Sequence, residues 1–145
     1  MAYRLFMAVG VRMRAKSTLR HSHQVEMRWA KGKGRGVYAR EEIKKGSVIE
    51  VVPVIIIPVA EVHAWNSNFG LFDYVFNWED GIMAIALGYG SLYNHSFLPN
   101  AKFSIGTELT ITFSAIRRIC AGAEITINYN GPPRSRAAMD FTVLE

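Results

Sequence analysis

The chain of 145 residues contains one cysteine, Cys120. A lone thiol excludes an internal disulfide framework and any cysteine-rich zinc cluster within one chain. It suits a reducing compartment: the cytoplasm, or the nucleus in a eukaryote. Long apolar runs are missing too. The most apolar stretch, VVPVIIIPVA at residues 51–60, is broken by Pro53 and Pro58. It is too short for a membrane span and reads as a buried strand bounded by prolines, so no membrane partner is expected. Lysine and arginine are absent from Gly46 to Ala101, where Glu50, Glu61, Asp73, Glu79 and Asp80 all fall. A surface built from that stretch would attract cations rather than phosphates.

The net charge of +5 invites a nucleic-acid reading, but its distribution argues against one. Arg4, Arg12, Arg14, Lys16 and Arg20 lie in the first twenty residues with no acid among them. Without those five, 12 basic residues face 12 acidic ones, so the remainder is formally neutral. The basic character belongs to an extension over residues 1–24, expected to be flexible and only weakly signal-like. His21 and His23 form His-x-His but have no third ligand nearby, so no metal is expected there.

From residue 25 the pattern becomes one of short strands and turns, with half of all residues hydrophobic. Turns are expected at Lys45-Gly46, Asp80-Gly81 and around Gly106. A short helical or irregular piece fits residues 60–70. One internal echo stands out. Ala39, Ile43, Gly46 and Ile49 recur as Ala115, Ile119, Gly122 and Ile125, each offset by 76 positions. Each unit reads as a strand end, a charged turn closed by glycine at positive φ, then a strand. Two such units facing each other predict a compact, mainly-β domain over residues 25–131, followed by a tail at 132–145.

The stretch GYGSLYNHSFLPNA, residues 88–101, gathers an amide, an imidazole and hydroxyls among apolar neighbours. A serine nucleophile at Ser91 or Ser96 would want the Gly-x-Ser-x-Gly elbow, which is absent. Asn94-His95-Ser96 fits a glycosylation sequon, yet Leu92-Tyr93 and Phe97-Leu98 flank it and argue for burial. GKGRG at residues 32–36 is not a phosphate-binding loop of known spacing, but it offers unobstructed backbone groups.

Three stretches occur in a fixed order: GKGRGVYAREEIKKGSVI, LYNHSFLPNA and FSAIRRICAGAEITINYNG. Together they resemble the SET domain of protein-lysine methyltransferases, in the short form of compact viral and bacterial members. The resemblance implies a β-clip-like fold of small sheets with a C-terminal pseudoknot. It implies S-adenosylmethionine as cofactor, held by Asn94, His95 and the backbone of Gly34, Arg35 and Gly36. It places Tyr129 at the reacting centre, Tyr74 on the substrate channel, and Ile127 where the family tunes the number of methyls. The cysteine-rich segment of many members is absent. The tail with Phe141, or a second subunit in a homodimer, would then complete the channel. The implied substrate is a lysine on a basic protein: a histone, a bacterial DNA-binding protein or a ribosomal protein. The competing reading is a catalytically silent module that holds basic tails.

Overall fold

The computed structural model describes residues 22–64 and 70–144. The expected extension lies outside the described residues except for Ser22 to Gln24, and so does His21 of the His-x-His pair. The described residues form nine strands and one short helix: β1 (Val25–Ala30), β2 (Gly34–Ala39), β3 (Val48–Pro58), α1 (Val59–Ala64), β4 (Val75–Glu79), β5 (Ile82–Ala86), β6 (Asn94–His95), β7 (Ala101–Ile105), β8 (Thr110–Ala115) and β9 (Glu124–Ile127). Single 3₁₀ turns sit at Leu71–Tyr74 and Gly90–Leu92. The fold is mainly β, as the alternation predicts, and its strands form two small sheets.

The second sheet, ordered β4-β5-β3-β8-β7, is antiparallel throughout. Strand β8 shows why: Ile111, Phe113 and Ala115 turn inward while Thr112 and Ser114 are half-buried on the other face. That period of two is what a pleated strand produces. Phe113 is fully buried, with Tyr93 stacked on it at 4.5 Å and Phe76 edge-on at 6.2 Å.

Strand β3 corrects one expectation. Pro53 does not end the strand but lies in its middle. Residues Val48 to Pro53 pair with β8, and Val54 to Pro58 pair with β5. The proline thus sits where the strand changes partners, a position that tolerates a missing N–H. Glu50 corrects another. It is 2% exposed and faces the interior, so the cation-attracting surface rests on Glu61, Asp73, Glu79 and Asp80.

The internal echo becomes a physical pairing. Ile43 and Ile119 exchange both backbone hydrogen bonds at 2.9 Å. Gly46 N–H donates to the Ala115 carbonyl at 2.8 Å, and Gly122 N–H donates to the Ala39 carbonyl at 2.7 Å. Both glycines have positive φ, 85° and 78°, which an L side chain resists. Even the charges repeat, because Glu42 pairs with Arg118 across the same offset. The two turns grip each other and bring β2 and β9 together.

The first sheet, ordered β1-β2-β9-β6, carries the site. Its last ladder sets β6 parallel to β9, pairing Asn94 with Thr126 and His95 with Ile127. This is the one parallel ladder among the described residues.

Candidate functional site

The Asn-His-Ser segment reaches β9 through a tight approach. The turn at Gly90–Leu92 lies directly on the core, and a Cβ on Gly90 would fall 2.6 Å from the Ala86 Cβ and 3.0 Å from Val52. Only glycine fits there. Ser91 is consumed by the same turn. Its hydroxyl donates to the Tyr74 carbonyl at 2.7 Å and accepts the Ala86 N–H at 3.1 Å. Ser96 Oγ likewise accepts the Leu98 N–H at 2.8 Å. Both hydroxyls shape turns. Tyr93, His95 and Ser96 are buried, as their apolar flanks suggest, but Leu98 is 60% exposed.

Asn94 joins strands far apart in sequence. Its amide nitrogen donates to the Arg35 carbonyl at 3.1 Å and to Glu124 Oε1 at 2.7 Å. The second oxygen of Glu124 faces Lys33 Nζ at 3.5 Å. Gly36 makes this closure possible. A Cβ there would stand 2.8 Å from both the Asn94 amide nitrogen and Glu124 Oε1. Asn100 holds the same strand from another side, donating to the Glu124 carbonyl at 2.7 Å and accepting the Thr126 N–H at 2.9 Å.

Tyr129 follows β9 directly. Its N–H donates to His95 Nδ1 at 3.0 Å, so the proton of a neutral imidazole sits on Nε2. Its hydroxyl donates to the Tyr93 carbonyl at 2.9 Å. The residue is 40% exposed, yet its phenol is pushed up to about 12, first by burial and then by Tyr74, Glu124 and Asp73. The hydroxyl therefore keeps its proton at any physiological pH. Phe141 of the tail comes edge-on to Tyr129 at 6.1 Å and to His95 at 6.0 Å. The tail is tied down by Asn128 to the Ser135 carbonyl at 2.9 Å and by Arg136 to the Phe97 carbonyl.

Tyr74 stands beside Arg35, whose guanidinium donates to the Tyr74 hydroxyl at 3.1 Å and lies 5.5 Å from its ring centroid. Ile127 is placed otherwise than the resemblance implies. It is 0% exposed, belongs to the central core, and offers no surface to a channel. Gly34, Arg35, Gly36, Asn94, His95, Tyr129 and Phe141 do converge, with Tyr74 reached through Arg35. Glu124, Lys33, Asn100 and the Tyr93 carbonyl complete the cluster without having been singled out in the sequence. Glu124 had a signal: it is the lone acid in an otherwise uncharged strand.

The donor set fits a ligand that carries positive charge. Asn94 spends its N–H groups on Arg35 and Glu124, leaving its oxygen as an acceptor. The Glu124 carboxylate and the Arg35 carbonyl add electron-rich atoms beside it. Gly34, at φ 78°, leaves open space where a Cβ would stand, so its backbone can be approached closely. An ammonium and a sulfonium on one small molecule match this lining. Among the described residues no group of three metal-ligating side chains occurs, and no helix is long and apolar enough to cross a membrane.

Residues 34–130 match the family model described as SET domain. The chain is 32% identical over 106 residues, or 72% of each chain, to a histone-lysine N-methyltransferase of Schizosaccharomyces pombe described as specific for lysine 37 of H3. A crystal structure of a candidate histone methyltransferase from Plasmodium falciparum superimposes with a TM-score of 0.60 at 29% identity, covering 76% of this chain and 95% of that one.

Proposed function

Because the chain belongs to the SET domain family, we propose that it transfers a methyl group from S-adenosylmethionine to a lysine amine of a histone, with the tail of histone H3 as the first substrate to test. The observation that carries this reading is the convergence at β6 and β9. Asn94, the Arg35 carbonyl and Glu124 form an acceptor-rich cradle. The Tyr129 hydroxyl lies next to it, aimed at the Tyr93 carbonyl. In a eukaryote this reading assigns the protein to the nucleus.

In this reading Asn94, His95 and the backbone of Gly34 to Gly36 hold the cofactor, which when bound supplies the methyl group on a sulfonium. The chain's own work is positioning. Nitrogen, methyl carbon and sulfur must lie in line, and fixing that geometry removes much of the entropic barrier. Tyr129 is held at both ends, by its N–H on His95 and its hydroxyl on Tyr93. A phenol at about 12 does not take up a proton as a base. It serves as a fixed dipole beside the reacting atoms, and the lysine loses its proton to solvent before transfer. Desolvation among Tyr74, Tyr129 and Phe141 favours that loss by disfavouring the ammonium. The exposed carboxylates Asp73, Glu79 and Asp80 suit a basic protein tail.

The test is incubation of the protein with labelled S-adenosylmethionine and core histones, followed by mass spectrometry of the labelled band. Label on a histone lysine supports the reading. Calorimetric binding of a histone tail with no cofactor binding and no label would instead favour a silent tail-binding module.

A further inference from the structure

Arg35 occupies an unusual place. Its carbonyl accepts from Asn94, and its side chain reaches Tyr74, 39 residues away. One residue thus touches the cradle with its backbone and the Tyr74 ring with its charge. The guanidinium is exposed, as is Trp29, its Cα partner across the β1–β2 ladder. Tyr74 itself is fixed from behind, where its carbonyl accepts from Ser91. A planar cation placed against a fixed ring forms one composite wall of phenol and guanidinium.

The charges around this wall are unequally engaged. Lys33, from the turn between β1 and β2, is paired with Glu124 of β9. Asp73 adjoins Tyr74 in the 3₁₀ turn and is exposed. The Tyr129 phenol lies close enough to feel Tyr74 and Asp73 and keeps its proton, while its backbone N–H donates to His95 Nδ1. Arg35 has no carboxylate partner among the described residues, since its side chain bonds a phenol. Its positive charge is therefore not cancelled by contact and acts on whatever enters beside Tyr74. A second cation brought close to it is disfavoured, while a neutral amine is not.

We propose that Arg35 is a specificity-determining residue of the lysine channel, whose guanidinium, held on Tyr74, penalises the ammonium form of the entering lysine and selects the neutral amine that can accept a methyl group. This rests on the methyltransferase reading above. It predicts an enzyme that binds charged lysine less tightly than it would without Arg35, and turns over at lower pH in exchange.

The experiment uses Arg35→Met, which keeps length and removes charge, and Arg35→Lys, which keeps charge and loses the planar fork. The probes are a peptide spanning the histone lysine identified by labelling and the same peptide with norleucine in its place. Affinities are measured with S-adenosylhomocysteine bound, alongside the pH profile of single-turnover transfer. In Arg35→Met the lysine peptide should gain roughly three- to tenfold over the norleucine peptide, and the pH midpoint should rise by roughly half to one unit. Arg35→Lys should keep both near wild type. S-adenosylhomocysteine, whose sulfur is uncharged, should still bind both variants through the Arg35 carbonyl that remains, and its affinity for each is measured so that the peptide affinities are compared at saturation. An unchanged ratio and midpoint in Arg35→Met, or the same shift in Arg35→Lys, overturns the inference while leaving the methyltransferase reading intact. A wild-type protein that neither binds the peptide nor transfers label overturns that reading itself, and this inference with it.

Discussion

The Tyr129 hydroxyl donates to the Tyr93 carbonyl oxygen at 2.9 Å, across 36 residues of sequence. Tyr93 therefore does two jobs. Its ring is buried against Phe113, and its carbonyl fixes the phenol that closes the site.

Tyr129→Phe tests that bond. The ring and its contacts with His95 and Phe141 are kept, and only the hydroxyl goes. Loss of one such bond should cost about 0.5–1.5 kcal/mol of stability. If the hydroxyl acts mainly in the transition state, kcat should fall far more than that while cofactor affinity stays nearly constant. Calorimetry, single-turnover rates and a thermal melt on one preparation check this, and a wild-type rate would remove Tyr129 from the reaction.

Gly36→Ala should abolish cofactor binding in a protein that still folds. The added methyl would stand 2.8 Å from both Asn94 Nδ2 and Glu124 Oε1, so their hydrogen bond must break or move. Gly34→Ala is the contrast, because open space surrounds that position although its φ of 78° strains any L residue. Calorimetric titration with S-adenosylmethionine should therefore separate the two variants. Equal affinity in Gly36→Ala and wild type would show that the Asn94 arrangement is not needed to hold the ligand.

Asn100→Ala should loosen β9. The side chain satisfies one carbonyl and one N–H of that strand, at Glu124 and Thr126. Leaving two half-buried backbone groups unpaired should cost roughly 1–3 kcal/mol each, less whatever water recovers. Hydrogen exchange at the Thr126 amide is the direct readout and should accelerate strongly in the variant.

Glu50 predicts a stability that depends on pH. The carboxyl is 2% exposed and its pKa is raised to about 7 by burial, against the weaker opposing influence of the Tyr93 hydroxyl and the Tyr89 backbone. Oε1 of Glu50 and the Tyr93 hydroxyl both lack a partner of ordinary hydrogen-bond geometry, so the phenol's influence falls short of a formed bond. The folded state thus holds a proton that the unfolded chain releases near its ordinary 4.5. The stabilisation is fully present below that pH and is lost as pH rises through about 7. It amounts to a few kcal/mol at most, since each tenfold change in proton affinity is worth about 1.4 kcal/mol. Thermal melts between pH 5 and 8 should show declining stability in the wild type. Glu50→Gln should flatten that part of the curve, and an unaltered slope would mean that Glu50 is ionised when folded.

Much of the architecture was legible because its causes are local. A period of two in β8, a turn at Asp80-Gly81 and positive-φ glycines at 46 and 122 are demands made by neighbouring residues on each other. The same holds for the ordered motifs that mark the family. What is non-local was not legible. Glu50 lies in a stretch with no basic residue and reads as surface acid, until a bulge between Val48 and Glu50 and the packing of Tyr93 turn it inward. Ile127 reads as a channel residue, yet its pairing with His95 places it in the core.

Sequence alone determined which residues would bend and which would alternate, since backbone sterics and side-chain periodicity act over a few positions. Tertiary structure alone decided which of them meet. Arg35 and Asn94 are 59 residues apart, and Asn94 and Glu124 are 30. They come together because the antiparallel ladder of β2 with β9 and the parallel ladder of β6 with β9 lay three distant segments side by side. Register between strands is set by the whole buried face at once, and no short stretch of sequence contains it.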